Sequence, residues 1–474
     1  MQKTHMLIPA LILVFAGLGY AAPTVELKWN FTGMDSIESP PAVADLNGDG
    51  TLDVVFGANT EEANWIYAVS GTDASELWRY GPVRGTVSAI IVDDINGDDM
   101  IEVVFAATDG DDGDVIVLNG PLGGLLWKQS GYPKGTWSNV PAVADIDGDG
   151  DKEVLYAPRG AILGGSEFNT TAFDAISGDV VWRSPRSTNY KAPVQVVDMD
   201  GDGILEVVTI GPGWGWVVDA RNGQAKYVLQ YCQICDGNFI VTEVNGDGVK
   251  DVIAMGDHQT RAFTADTSEL AANVTFLWEY HGNRTAYNDM AAADFDGDGK
   301  LEVLHFQFTR GGDPLYTTMF CRNVEDGTLL WDLTFQGKFA KTSPALGDLD
   351  EDGLPDILVG VDAPDCALLV KGTDGTVMWN ATMRQSAHFT GCIADVDGDE
   401  KLDLIVGNED DMLCYGTSTP CAENEIVWGM INRDIHNSAI FPMPQASVIS
   451  VLGLLALVAV SGKTKLFGTE GRNR

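Results

Sequence analysis

Short apolar runs alternate with polar turns from about residue 25 to residue 440, and no stretch between them keeps a helical period. One unit reads Pro41-Ala42-Val43-Ala44, an acidic turn over Asp45–Asp53, then Val54-Val55-Phe56-Gly57. A third run, Ile66-Tyr67-Ala68-Val69-Ser70, ends at Gly71, and a fourth carries Trp78. The unit recurs eight times, its acidic turns opening at Asp45, Asp94, Asp145, Asp198, Glu243, Asp294, Asp348 and Asp395, 45 to 54 residues apart. Aromatic runs recur with it at Trp29, Trp78, Trp127, Trp182, Tyr227, Trp278, Trp331, Trp379 and Trp428.

Four short strands in roughly 50 residues, bounded by turns, predict one antiparallel blade. Eight such units predict an all-β, eight-bladed β-propeller, an architecture that leaves only short, protected edges. Nine aromatic runs stand against eight acidic turns, which predicts that strands from both ends of the chain meet in one closing blade. A seven-bladed ring with a stray repeat is the alternative.

The acidic turns carry the candidate chemistry. Taking the opening acid as position 1, oxygen ligands at positions 1, 3 and 5, a backbone carbonyl at 7 and a carboxylate at 9 can converge on one hard cation, and six or seven oxygens suit Ca²⁺. The sets are Asp45, Asn47, Asp49, Thr51 and Asp53; Asp94, Asn96, Asp98, Met100 and Glu102; Asp145, Asp147, Asp149, Asp151 and Glu153; and Asp198, Asp200, Asp202, Ile204 and Glu206. The second four are Glu243, Asn245, Asp247, Val249 and Asp251; Asp294, Asp296, Asp298, Lys300 and Glu302; Asp348, Asp350, Asp352, Leu354 and Asp356; and Asp395, Asp397, Asp399, Lys401 and Asp403. Glycine at position 6 permits the positive φ of a sharp bend. Asp99 and Glu400 replace it in loops 2 and 8, Glu243 opens loop 5, and Glu351 stands at position 4 of loop 7, so loops 3, 4 and 6 are expected to bind tightest. The plain alternative is an array of Asx turns without metal.

Charge supports the metal reading. The chain of 474 residues carries 69 acidic and 29 basic side chains, a net −40, and 29 of the acids lie at positions 1, 3, 5 and 9 of the eight loops. Up to eight structural Ca²⁺ ions would offset much of that charge. Such an acidic chain is a poor partner for nucleic acid. With 45% hydrophobic residues it has ample material for a core.

The termini predict export. Lys3, the apolar run Met6–Leu18 and Gly19-Tyr20-Ala21 form a signal-peptide pattern cleaved after Ala21, with an uncleaved anchor as the alternative. Ala446–Gly462 is an uncharged, mostly apolar stretch followed by Lys463, Lys465, Arg472 and Arg474, the pattern of a short membrane span with a basic tail. A buried terminal strand or helix is the alternative there. The expected layout is therefore a signal peptide over 1–21, a propeller over 22–440, and a membrane-spanning or sorting segment over 441–474. The C-terminal end resembles the sorting signals of archaeal and bacterial surface proteins.

The acidic loops and their strands resemble the FG-GAP (VCBS-type) repeats of integrin α-subunit propellers and of many microbial surface proteins, over roughly residues 25–440. That resemblance implies a calcium-binding propeller at the cell surface, acting as a non-enzymatic adhesion or ligand-binding module for an extracellular protein or polysaccharide. Ile66–Gly71 with Leu77-Trp78, and the closing Trp428, Met430, Asp434, His436 and Ser438, also resemble quinoprotein-type propellers. Some pectin-degrading lyases use an eight-bladed calcium propeller, so a polysaccharide lyase is the second function, with Lys341 or His388 as base. Alternating strand direction places the acidic loops on one face and variable loops on the other. Those loops hold Trp65, Arg84, Trp137, Tyr190, Trp214, Trp216, Tyr287, Arg310, Lys341 and His388, aromatics and cations that suit sugars or protein side chains or else pack between blades. Trp214 and Trp216 are expected at the surface.

Seven cysteines leave at least one without an intrachain partner. Cys414 and Cys421 can close a small loop, Cys321 and Cys366 fall on equivalent strands, and Cys232 and Cys235 form either a local disulfide or a redox pair. Sequons begin at Asn30, Asn169, Asn273, Asn283 and Asn380.

Overall fold

A computed structural model of the chain describes residues 22–428 except for short internal stretches, the longer of which are 133–139, 159–169, 185–193, 231–238, 266–273, 286–289, 309–315, 340–343 and 384–388. All of them belong to the first of two units, Met1–Phe441, the second being Pro442–Arg474. The segments expected as signal peptide and membrane span lie outside the described residues. Among the described residues no helix is long and apolar enough to cross a membrane.

The strands follow from local composition. In blade 1 the three-residue inner strand Ala42–Ala44 pairs with Asp53–Asn59, which pairs with Asn64–Ser70, which pairs with Glu76–Val83. Inner strands such as Ala42–Ala44, Ala142–Ala144 and Ala291–Ala293 are wholly buried. Their small side chains let neighbouring blades approach, as Ala42–Ala44 does beside Ile91–Asp93 and Phe389–Ala394. Second strands such as Glu206–Gly211 and Asp251–Gly256 are buried at every position, because a neighbouring blade covers each face. They therefore read as continuous apolar runs, where a half-exposed sheet would alternate. Outer strands do alternate: in Leu125–Ser130 only Trp127 is buried.

Eight antiparallel sheets form, each with one acidic loop between its first and second strands. The blades are numbered by that loop. Blade 8 closes the ring, with the N-terminal strand Val25–Phe31 antiparallel to Met412–Pro420 and Trp29 opposite Cys414. Both ends of the chain thus meet in one blade, as the nine aromatic runs require. Trp428 takes a different place from the one its aromatic run implies. Ile426–Trp428 pairs with the inner strand Phe389–Ala394, setting Trp428 opposite Ile393 on the edge away from Trp29. The outer edge of Met412–Pro420 is already taken by Val25–Phe31, so the returning chain adds to the other side.

The aromatics of the outer strands latch each blade to the next. The indole N–H of Trp29 donates to the Gly71 carbonyl at 2.6 Å, Trp78 to Gly120 at 2.7 Å, and Trp127 to Ala175 at 2.7 Å. Trp182, Trp278 and Trp331 repeat this with Ala220, Val324 and Gly372. Each acceptor lies in the third-to-fourth-strand turn of the following blade. In five of these blades the amide of that same acceptor residue donates back to position 8 of the acidic loop in its own blade, as Gly120 does to Ile101 at 2.9 Å and Ala175 to Lys152 at 3.1 Å, whereas the Gly372 amide donates to Asp356 Oδ1 at 3.3 Å. These bonds put acidic loops and third-to-fourth-strand turns on one face, and they couple loops 1, 2, 3, 4 and 6 to a blade interface. Gly178, at φ +74°, lies flat under Trp127, and a Cβ there would sit 2.6 Å from the indole. Tyr227 and Trp379 depart from the pattern: the Tyr227 hydroxyl is buried without a hydrogen bond, and Trp379 is half-buried against Tyr415.

Candidate metal centres in the acidic loops

All forty candidate ligands fall in the eight turns between first and second strands, and a repeated hydrogen-bond scheme shapes each turn. In loop 1, Asp45 accepts the amides of Gly48 and Gly50 at 2.8 and 3.0 Å, Asn47 accepts that of Asp49 at 2.8 Å, and Asp49 accepts that of Thr51 at 2.9 Å. The closing Asp53 reaches back to the amide of Leu46 at 3.1 Å. Loop 6 repeats the frame through Asp294, Asp296, Asp298 and Glu302. Glu243, one methylene longer, still accepts Gly246 and Gly248 at 2.7 and 2.8 Å, so loop 5 is built like the rest. Position 2 is a buried apolar anchor throughout, from Leu46 and Ile95 to Leu349 and Val396.

Positions 4 and 6 both take positive φ, a wider requirement than the single glycine at position 6. Thirteen of these sixteen residues are glycine, and Asp99, Glu351 and Glu400 hold φ of 64°, 61° and 60° without it. A side chain in that conformation costs about 1–2 kcal/mol.

Loops 1 to 6 are exposed at positions 3 to 6 or most of them, loops 7 and 8 at only two of these, with Asp350 buried, and every loop is buried at its closing acid. Asp53, Glu206, Asp251 and Asp403 are fully buried, and Glu102, Glu153, Glu302 and Asp356 nearly so. Burial pushes the carboxyls of Asp53, Glu102 and Glu153 up to about 7, and those of Glu302 and Asp356 up to about 8, with neighbouring acids adding to the shift. Asp403 rises to about 6 for the same first reason, and Glu206 and Asp251 move the same way. A buried carboxyl raised in this way is one that a bound cation would hold ionised. The Oδ1 atom of Asp53 is buried with no hydrogen-bond partner, an acceptor that a cation could satisfy. In loops 3, 4, 6, 7 and 8, carboxylate oxygens from three acids lie within 4.8 Å of one another. The donor set is all oxygen, and it fits a hard divalent cation.

Three loops also hold a lysine. Lys226 Nζ lies 3.0 Å from Asp200, 3.0 Å from Asp202 and 2.7 Å from Glu206 in loop 4. Lys28 Nζ lies 2.7, 3.3 and 2.8 Å from Asp397, Asp399 and Asp403 in loop 8. Lys371 contacts Asp350 and lies 2.6 Å from Asp352 in loop 7. Sequence reasoning missed these lysines; the available signal was lysine directly before the outer-strand aromatic, at Lys28-Trp29 and Lys226-Tyr227.

The other candidates scatter. Trp65 and Trp216 are half-buried residues of third strands, packed against core clusters, and neither is a surface-loop aromatic. Trp214 begins the strand Trp214–Asp219, opposite Gly211, where the ladder hydrogen bonds claim the backbone. The Arg79 guanidinium lies 5.0 Å over the Trp65 ring. Arg84 is exposed. Trp137, Tyr190, Tyr287, Arg310, Lys341 and His388 lie outside the described residues, as do Cys232, Cys235, His436, Asn169, Asn273 and Asn283. Asn30 and Asn380 are exposed. Cys414 is a buried free thiol, so it closes no loop with Cys421.

His305 is buried between Thr260 Oγ1, 3.0 Å from Nδ1, and Arg322 Nε, which donates to Nε2 at 3.1 Å. The Arg322 guanidinium stacks 3.9 Å over Tyr280. Burial, then Arg322, pushes the imidazole down to about 3, so it stays neutral and ties blade 5 to blade 6.

The fold and its loops define a β-propeller with an acidic turn in every blade. A family profile for FG-GAP-like repeats matches residues 244–305, from position 2 of loop 5 through loop 6. The chain is therefore an eight-bladed β-propeller that contains an FG-GAP-like repeat, with the same acidic turn in each of its blades. No curated relative matches it in sequence. Among solved structures it is similar to Sqt1 of Saccharomyces cerevisiae, at 8% identity over 84% of this chain and 99% of that one, TM-score 0.56. It is also similar to the quinohemoprotein alcohol dehydrogenase of Comamonas testosteroni, at 13% identity over 85% and 78% of the two chains, TM-score 0.53. BamB of Moraxella catarrhalis matches at 14% identity over 83% and 100%, TM-score 0.51. Identities this low carry the fold alone.

Proposed function

We propose that the acidic loops bind Ca²⁺ and that the propeller is a surface-displayed, non-enzymatic binding module for an extracellular protein or polysaccharide. The observation that carries the calcium reading is the buried closing carboxylate of each loop, most directly the unpartnered Oδ1 of Asp53. Asp45, Asn47, Asp49 and Asp53 would hold the ion in loop 1, with the carbonyl of Thr51, and the equivalent residues would do so in other loops. The ion supplies positive charge among carboxylates that otherwise repel one another. The chain's own residues carry that order onward: position 8 of the loop bonds the next turn, and the turn accepts the indole of the preceding blade. Calcium on one face thus stiffens the blade interfaces and leaves the opposite face to carry ligand-binding loops. On this reading the protein is exported and held at the cell surface by its C-terminal segment.

The test incubates the full chain, in calcium and in EDTA, with a panel of surface and plant polysaccharides, following both retention and unsaturated-sugar products. Calcium-dependent retention without product supports the binding module. Unsaturated products replace it with a lyase and make Lys341 and His388 the first residues to mutate. Neither result directs the search to a protein partner.

A further inference from the structure

We infer that loops 4, 7 and 8 carry their own cation, a lysine ammonium seated where the other five loops take a metal ion, so that the chain binds five calcium ions. The inference rests on the calcium reading of the loops and assigns its stoichiometry. In loops 4 and 8 the ammonium contacts positions 3, 5 and 9, the carboxylates that define the ion site, and in loop 7 it contacts positions 3 and 5. An ammonium has three donors, and three carboxylate oxygens satisfy all of them. A divalent ion at the same place would lie within a few ångströms of a fixed positive charge.

The lysines reach their loops by two routes. Lys28 and Lys226 extend from the outer strand, one residue before the aromatic, where blades 1, 2, 3, 5 and 6 have Leu77, Leu126, Val181, Leu277 and Leu330. Lys371 follows Val370 at the end of a third strand. In blade 8 the space is shaped for the lysine: a Cβ on Gly416 would stand 2.3 Å from Lys28 Cε, so glycine there keeps the channel for its stem open. Among the described residues no lysine touches position 3, 5 or 9 of loops 1, 2, 3, 5 and 6. Lys152, beside loop 2, bonds Asp93 and the Asp94 carbonyl. Lys28 also belongs to the N-terminal strand, so its ammonium ties the two ends of the chain together in blade 8 without calcium.

The experiment counts calcium bound to the purified full chain by metal analysis and native mass spectrometry, for wild type and for Lys28→Met, Lys226→Met and Lys371→Met singly. Five ions in the wild type and six in each variant are expected. Eight ions in the wild type, or five in wild type and variants alike, would overturn the lysine assignment while leaving the calcium reading in place. No bound calcium in any form would overturn both. Because Lys28→Met also loosens ring closure, acylation of surface amines in the wild type supplies a second readout. Lys226 and Lys371 should stay unreactive with calcium or EDTA, and calcium-induced reactivity would show the ion displacing them.

Discussion

Replacing Asp53 by Asn separates a metal ligand from an ordinary hydrogen-bond acceptor. Asp53 is fully buried, one oxygen accepts the Leu46 amide, and the other has no partner. Burial lifts its carboxyl from 3.8 to about 7. The unfolded chain ionises near 3.8 and the metal-free folded chain near 7, so between those values the folded state holds the extra proton and loses stability as pH rises. At pH 8 the ionised carboxylate costs the metal-free fold roughly 4 kcal/mol, and at pH 5 less than half of that. Asn removes this cost and keeps the bond to Leu46, while its unpaired amide group gives back about 1–3 kcal/mol. Thermal melts in EDTA should therefore show Asp53→Asn melting a few degrees above wild type at pH 8 and level with or below it at pH 5. In millimolar calcium the order at pH 8 should reverse, because a charged ligand has been lost. A variant that melts lower by the same amount in EDTA and in calcium would refute the reasoning and leave Asp53 as a structural acceptor only.

The same carboxyls predict the behaviour of the whole chain. Asp53, Glu102 and Glu153 at about 7, with Glu302 at about 8, should make the EDTA-treated protein melt higher at pH 5 than at pH 8, and saturating calcium should invert that order. A metal-free melting temperature that rises from pH 5 to pH 8 would contradict it. Gly178→Ala combines a left-handed backbone with a Cβ 2.6 Å from Trp127, and it should cost at least about 2 kcal/mol, measured as a lowered melting temperature with or without calcium. Asp99→Gly relieves the φ of 64° at position 6 of loop 2 and should gain about 0.5–1 kcal/mol, read from denaturant melts. Trp278→Phe leaves the Val324 carbonyl without its 2.6 Å donor and should cost about 1–3 kcal/mol in the same assay.

Much of this protein is written in local spacing. The strand runs, the repeat and the ligand positions lie within single units of about 50 residues, and the backbone of a nine-residue turn is shaped by its own side chains. Asp45 bonding Gly48 and Gly50 is a contact across three to five residues, so reading the turn predicts it. The count of eight blades and the meeting of both ends in one blade followed from the same repetition. Other features depend on residues distant in sequence. Trp127 meets Ala175 48 residues on, so the latches exist only once neighbouring blades stand side by side, and Lys28 meets Asp397 369 residues on, so its contact exists only once the two ends of the propeller meet in blade 8. Trp428 looked like a ninth outer strand because its pattern is locally the same. Its place went to the inner edge because Val25–Phe31 had already taken the outer hydrogen bonds. Trp65 and Trp216 read as surface aromatics by their turn-like surroundings, but packing against core clusters leaves each half-buried. Sequence alone therefore determined the repeating unit and the chemistry of its turns, since both arise from neighbours along the chain. Tertiary structure decided which face is covered, which edge is free and, in blade 8, which carboxylates hold Lys28, because packing brings those partners together from separate units.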